Sequence, residues 1–146
     1  GAIYAHFRNK ADLLVEAIDA RVATDGDRSR DLPETTFRDY LTELNSRVAE
    51  RADLRALLVE GAVAARNDPA VRERLAAEQE ERLAEWVAEY EAAADRGELE
   101  AGLDMRAVVL MLWSMELGLG VIEGLGLEPP DAGAWGELTR RFVGGI

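Results

Sequence analysis

The sequence predicts an all-α protein that folds as an antiparallel helical bundle. Apolar residues recur every three or four positions along most of the 146-residue chain, which is the period of an amphipathic helix. Signals that start or end helices, such as Asp68-Pro69 and Gly97, separate these periodic stretches. Residues 104–126 are apolar on more than one side, which is typical of a helix buried between neighbours.

The composition fits one globular domain with a substantial core, because 48% of the residues are hydrophobic and 32% are charged. The chain contains no cysteine, which excludes a disulfide framework and suits a cytoplasmic protein. Its formal net charge of −12, taken alone, disfavours nucleic acid and anionic membranes as partners. The chain opens at Gly1 in what reads as the middle of a helix, so we expect a fragment of a longer protein.

Two helices are predicted before the first break in the chain. Ile3 and Phe7 have helical spacing, and Asn9 is a good N-cap for a second helix over residues 10–24. Residues 25–34 are polar and include a glycine and a proline, which predicts a link or hinge.

Three further helices are predicted up to Gly97. Periodic apolar residues indicate helices over 35–51 and 52–67. Asp68-Pro69 starts the next one, because aspartate caps a helix and proline fits its first position. This helix should reach Arg96 and end at Gly97. The glutamates along its outer face indicate a solvated surface rather than acid–base catalysts.

The helix expected over 104–126 carries two apolar stripes on roughly opposite sides. The chain's own helices can cover one stripe, and we expect a second copy of the chain to cover the other. Two glutamates and several glycines argue against a membrane span, and no signal-type region precedes this stretch. The stripe assigned to the chain's own core is Val108, Met111, Leu112, Met115, Leu119 and Ile122.

A last helix is expected over 132–143, after two prolines that end the preceding one. Paired with the 104–124 helix, it can form half of a four-helix bundle across a two-fold axis. A homodimer is therefore predicted. Its interface residues are Leu110, Trp113, Leu117 and Val121 from one helix, and Trp135, Leu138 and Phe142 from the other.

Glu116 and Glu123 lie on a strip between the two stripes, where a buried carboxylate requires a partner. One interpretation is an ion pair between subunits with Arg140 or Arg141. The other is that one of the two acids faces a pocket and selects a cationic or hydrogen-bonding ligand.

Near its start the chain carries a motif of a known family. The pattern Gly1-x-Ile3-Tyr4-x-His6-Phe7-x-Asn9-Lys10-x-x-Leu13 resembles the end of the DNA-recognition helix, and the start of the following helix, in TetR-family transcriptional regulators. The remainder of the chain is similar in architecture only. The resemblance implies that residues 1–24 end a DNA-binding domain and that residues 33–146 form its C-terminal ligand-binding and dimerisation domain.

The resemblance also implies DNA contacts for three residues. Tyr4, His6 and Lys10 would lie against the DNA backbone or a groove edge, and a helix start at Lys10 favours a phosphate. Such contacts position a protein without reading sequence, so operator DNA would be read mainly by the missing N-terminal segment. The residues alone equally allow Tyr4 to be a packing residue and His6 to be solvated.

A small-molecule pocket is likewise implied in the helices before the dimer pair. Aromatic and methionine side chains suit an adaptable cavity for a small, largely apolar effector, although each of them could be ordinary core. Effector binding would alter the separation of two recognition helices and relieve operator binding. The candidate pocket residues are Phe37, Tyr40, Leu58, Gln79, Trp86, Tyr90, Met111, Ser114 and Met115.

The function predicted is thus a ligand-responsive, DNA-binding transcriptional regulator, expected to be a repressor, that acts as a homodimer. The alternative is a helical dimerisation or protein-interaction module that senses no small molecule. An enzyme is disfavoured, since the chain has no cysteine, one histidine and none of the common nucleotide, zinc or protease motifs. We expect no cofactor, no metal site and no membrane partner.

Overall fold

The described part of the chain is built from α-helices. The structure is a computed structural model that describes residues 10–30, 36–143 and 145, and within them it contains no strand. The all-α prediction is confirmed. In chain order the elements are α1 (Lys10–Arg30), α2 (Phe37–Ser46), a 3-10 turn (Ala49–Arg51), α3 (Ala52–Asn67), α4 (Pro69–Asp95), α5 (Met105–Gly124) and α6 (Ala132–Val143).

Helix-end signals in the sequence act as predicted around α4 and α5. Asp68 caps α4 by accepting two backbone N–H bonds, and Pro69 occupies the first helical position. The chain then turns at Gly97, whose φ of 75° is left-handed and favours glycine. Asp104 caps α5 by accepting a backbone N–H at 3.1 Å. The bounds of α3 and α6 also match the predicted ones.

The helix α1 is longer than predicted. The break expected from residue 25 does not end it, and it continues to Arg30. A glycine inside a helix costs about 1 kcal/mol but does not stop it, whereas a proline does, and the first proline of the sequence is Pro33.

The helix α2 is shorter than the predicted 35–51 segment. It begins after Thr36, whose hydroxyl accepts the N–H of Asp39 at 3.2 Å, while the Asp39 carboxylate accepts the N–H of Thr36 at 3.3 Å. Near its end, Asn45 and Ser46 donate to backbone carbonyls at 2.7 and 2.8 Å. Such side-chain bonds compete with the helical ladder and favour helix ends, so a 3-10 turn follows.

The buried side chains form two separate clusters. The first lies between α2, α4 and α5, and the second joins α1 to α3 and α4. The first consists of Leu41, Leu83, Tyr90, Ala93, Leu99, Met105, Val108 and Val109, and the second of Leu14, Val15, Ile18, Val71 and Leu75. The helix α4 contributes side chains to both clusters, and α3 packs against α1, α4 and α5.

The helix α5 is rotated from the orientation expected. Val109 and Gly120, which belong to neither predicted stripe, are buried, whereas Met111, assigned to the core, is 42% exposed. A β-carbon on Gly120 would lie 3.1 Å from Cβ and 3.2 Å from the carbonyl oxygen of Arg55 on α3. The absence of a side chain at Gly120 therefore allows α3 and α5 to approach closely, and this contact determines which face of α5 is buried.

The helix α6 packs mainly against α2, so the expected pairing of α6 with α5 inside one chain is wrong. Thr139 is buried on the inner face of α6, and Gly136 faces Ser46 of α2. Residues 125–131 form no helix and connect the end of α5 to α6, which lies beside α2. Periodicity predicts the inner face of α6 but not the helix that this face meets.

By length and composition, α5 could also cross a membrane, and it is the only helix of the described residues that could. The core helix of a globular protein has the same properties. Two of its side chains, Glu116 and Glu123, are ion-paired with α3.

Candidate ligand cavity

A cavity of about 420 Å³ lies between the two clusters, where α1 to α5 meet. Its volume is within the range of small-molecule sites, which is roughly 300–1,000 Å³. Leu41, Tyr90 and Val109 belong both to its wall and to the first cluster. Aliphatic side chains that complete the wall are Leu44, Leu54, Leu58 and Leu112.

Aromatic side chains form one side of this cavity. The rings of Tyr40 and Trp86 are stacked at 28° with centroids 6.0 Å apart, and Trp86 lies 6.2 Å from Tyr90. Phe37 supports Tyr90 from the edge at 4.7 Å and 82°. Burial raises the pKa of the Tyr90 phenol above its ordinary value, so the hydroxyl stays protonated at neutral pH.

Two polar side chains of α4 in the cavity wall have unused hydrogen-bond donors. Gln79 Nε2 and Arg82 Nη1 are shielded from solvent and have no hydrogen-bond partner among the described residues. The other terminal nitrogen of Arg82, Nη2, donates to Asp19 of α1 at 2.9 Å. Shielded donors of this kind are costly unless an enclosed acceptor meets them.

A buried ion network joins α3 to α5 beside the cavity. Arg55, only 1% exposed, donates to Glu123 at 2.9 and 2.5 Å and to Glu116 at 3.4 Å. Arg51, which lines the cavity, donates to Glu116 at 2.5 Å. Burial alone lowers the pKa of Arg55, but the hydrogen bonds and charges of Glu123 and Glu116 outweigh it and hold that pKa above its usual value.

This network corrects the expected pairing of Glu116 and Glu123 with arginines of α6. Arg140 and Arg141 bind Glu137 of their own helix instead, at 2.8–2.9 Å. These two hydrogen-bonded arginines hold the pKa of Glu137 at about 2. The alternative interpretation was an acid that faces a pocket. Glu116 does line the cavity, but it is ion-paired with Arg51.

The helix α1 forms part of the cavity wall through Val22 and Ala23. Salt bridges also join α1 to α4, and one of them pairs Asp12 of α1 with Arg74 of α4. Desolvation and the neighbouring Asp19 raise the pKa of the α4 carboxyl Glu78. A change in the position of α1 therefore alters both the cavity wall and this polar seam between α1 and α4.

The cavity brings together five of the nine residues proposed for the pocket: Tyr40, Leu58, Gln79, Trp86 and Tyr90. Phe37 lines a shallow depression next to it. Met111 and Ser114 are exposed on the far side of α5, where the Ser114 hydroxyl donates to a backbone carbonyl at 2.7 Å, and Met115 is half-buried outside the cavity. The rotation of α5 explains this difference, because Trp113 and Leu117 line the cavity in their place.

The residues proposed for a dimer interface differ in exposure. Leu110 and Val121 are 41% and 49% exposed, and Leu117 and Leu138 are exposed as well. The other three are half-buried: Trp113, Trp135 and Phe142. Among the residues proposed for DNA contact, Tyr4 and His6 lie outside the described residues, as does the side chain of Lys10.

No protein-family model, curated protein or solved structure matches this chain. Within residues 10–30 and 36–143, no group of His, Asp or Glu side chains is arranged to hold a metal ion. The apolar and aromatic walls of the cavity, together with the donors of Gln79 and Arg82, suit the binding of a small molecule.

Sequence reasoning missed Arg51, Arg55 and Arg82. A usable signal was present, because Arg51 and Arg55 are four residues apart, at the N-cap and in the first turn of α3, and Glu116 and Glu123 are seven apart on α5. Both spacings place the charges on a single helix face, so two faces of opposite charge were available to pair.

Proposed function

We propose that this chain is the effector-binding and dimerisation part of a TetR-type transcriptional regulator, a cytoplasmic repressor that acts as a homodimer. The observation that carries the proposal is that α1 forms one wall of the cavity. By the resemblance of the first residues, α1 directly follows the segment that contacts DNA. A ligand in the cavity would therefore touch the helix that leads to the DNA.

The coupling that this mechanism needs is modest. An effector that binds the two positions of α1 with different affinity shifts operator binding by the same factor, and about 1–3 kcal/mol is typical of allosteric proteins. The contacts between Val22 and Ala23 of α1 and the cavity supply a place where such a difference can arise.

The homodimer is supported by the exposed face of α5. Five large apolar side chains of this helix are exposed, a density that in soluble proteins marks an interaction surface. A second copy of the chain fits this face, because a two-fold axis would pair it with itself and bring together two DNA-reading segments. The five are Leu110, Met111, Leu117, Val121 and Ile122, of which Leu117 lies at the edge of this face and also lines the cavity.

The DNA-binding part of the proposal is tested with an extended chain, namely residues 1–146 preceded by a helix-turn-helix segment. This chain should select a sequence from a random DNA pool with salt-dependent affinity, and an apolar compound from a thermal-shift screen should release it. Filling the cavity by Leu58→Trp should preserve DNA binding and abolish the release. An extended chain that binds no DNA would refute the regulator assignment.

The homodimer is tested by placing a charge on the exposed face of α5. Val121→Glu should shift the protein from dimer to monomer in sedimentation velocity at micromolar concentration, because the glutamate would be buried without a partner. Val63→Glu is the matched control, since Val63 is 55% exposed and belongs to α3 rather than α5. A wild-type chain that sediments as a monomer would contradict this part of the proposal.

The alternative function, a dimerisation or protein-interaction module, is favoured by the same exposed face of α5 and makes no use of the cavity. The response to a ligand distinguishes the regulator from the module. A module would dimerise normally and show no ligand-dependent change in melting temperature or DNA binding.

A further inference from the structure

We propose that the cavity selects a neutral, flat molecule whose hydrogen-bond acceptor meets Gln79 and Arg82 while its ring lies against Tyr40 and Trp86. This inference rests on the proposed function in one respect, since both place a ligand in this cavity. It goes further by naming the chemistry of that ligand.

The acceptor follows from the two unused donors. Gln79 and Arg82 are three residues apart on α4, so their side chains leave the same helix face. Asp19 holds Nη2 of Arg82, which fixes the guanidinium and leaves Nη1 as a positioned donor. Nη1 of Arg82 and Nε2 of Gln79 are both shielded from solvent, so bulk water does not satisfy them. A carbonyl oxygen of a bound ligand would satisfy these donors once the two side chains turn them into the cavity.

The flat shape follows from the aromatic side of the cavity. Trp86 lies on α4 one turn beyond Arg82, and its ring stacks with that of Tyr40. Rings of this kind prefer offset stacking or edge contacts with another planar group. A planar ligand of one or two fused rings can thus reach from the stacked pair to the donors along a single face of α4.

A negative charge on the ligand is disfavoured by the rest of the lining. Glu85 and Glu89 add negative charge to the lining, whereas both lining arginines already have a carboxylate partner, Glu116 for Arg51 and Asp19 for Arg82. An anion would approach Arg82 against this excess of negative charge.

A positive charge on the ligand gains little in this cavity. Glu85 and Glu89 are exposed, so the attraction between either of them and a cation is weakened by solvent screening. A cation would also leave the donors of Gln79 and Arg82 without an acceptor. The enclosed donors therefore outweigh the solvated acids, which is why the proposal is for a neutral ligand.

Four naphthalene derivatives of similar size test the proposal by equilibrium dialysis with the full chain. Acetylnaphthalene offers a carbonyl acceptor, ethylnaphthalene replaces that carbonyl by a methylene group, and naphthoate and naphthylmethylammonium carry opposite charges. We expect acetylnaphthalene to bind about tenfold more tightly than ethylnaphthalene, the gain typical of an enclosed hydrogen bond, and more tightly than either ion.

Two variants locate this preference at the donors. Gln79→Leu keeps an apolar side chain of similar size and removes the amide, and Arg82→Lys keeps the charge beside Asp19 and removes the second guanidinium nitrogen. Each should reduce the preference for acetylnaphthalene to about twofold or less. Arg74→Lys is the matched control, because Arg74 pairs with Asp12 of α1 and does not line the cavity. It should leave the preference unchanged.

The outcomes separate this inference from the proposed function. Equal binding of the acetyl and ethyl compounds, or tightest binding of either ion, would overturn the inference and leave a ligand-binding cavity in place. Binding of none of the four compounds up to their solubility limits would also overturn it. The DNA-release experiment uses none of these probes, so it still decides the proposed function.

Discussion

Replacing Arg55 with methionine should lower the free energy of unfolding by about 3–5 kcal/mol, as is usual when one partner of a buried ion pair is removed. Arg55 is buried between α3 and α5, and its loss leaves Glu123 without its hydrogen-bond donor. Glu116 is less affected, because it retains Arg51. Urea unfolding at a fixed protein concentration measures the change, with the concentration held constant because a dimer adds its own stability.

Two companion variants make the Arg55 experiment decisive. Arg55→Met combined with Glu123→Leu removes both charges and should recover a large part of the lost stability, because an apolar pair can replace a buried ion pair. Arg140→Met, at an exposed ion pair on α6, should leave the urea midpoint almost unchanged. A single Arg55→Met variant as stable as the wild type would show that the network between α3 and α5 does not hold these helices together.

Gly120→Val should destabilise the protein by about 1–3 kcal/mol, the usual cost of overpacking a close contact. A β-carbon at position 120 would lie 3.0 Å from Val59 Cγ2 and 3.2 Å from the carbonyl oxygen of Arg55. The side chain of Val59 can move, but the backbone oxygen of α3 cannot move without displacing the helix. The urea midpoint should fall accordingly, and the hydrogen bonds of Arg55 should weaken with it.

The same substitution two residues earlier provides the control for Gly120. A β-carbon at Gly118 would meet no atom within 4 Å, so Gly118→Val should be neutral or stabilise α5 by a few tenths of a kcal/mol through helix propensity. Equal effects at positions 118 and 120 would mean that helix propensity, rather than the close approach of α3, determines the outcome.

The sequence predicted those features of the fold that depend on neighbouring residues. Asp68-Pro69, Gly97 and Asp104 specify helix ends through their own side chains or backbone, so they could be recognised without knowing the fold. The prediction of where α1 ends was wrong for a related reason. Polar residues and a glycine are common in links, but a helix that packs on neighbours tolerates them.

Features that depend on distant residues could not be predicted in the same way. Periodicity showed that α5 is apolar on two sides, but the arginines that bind its glutamates come from α3, more than 60 residues earlier. Their pairing turns Trp113 and Leu117 towards the cavity and Met111 away from it. The packing of α6 on α2 is likewise a long-range contact, and the seven-residue connection 125–131 does not specify it.

The length of α1 has a mechanical consequence. Its 21 residues span about 31 Å as a straight rod, at the usual rise of 1.5 Å per residue. Val15 and Ile18 are fully buried against α3 and α4, and they lie between the first turn of the helix and Val22 at the cavity. If a ligand pushed Val22 outward, these two residues would act as a fulcrum, and the start of the helix would swing inward through a similar distance. Lever action of this kind needs no bending of the helix and no loss of its packing at the pivot.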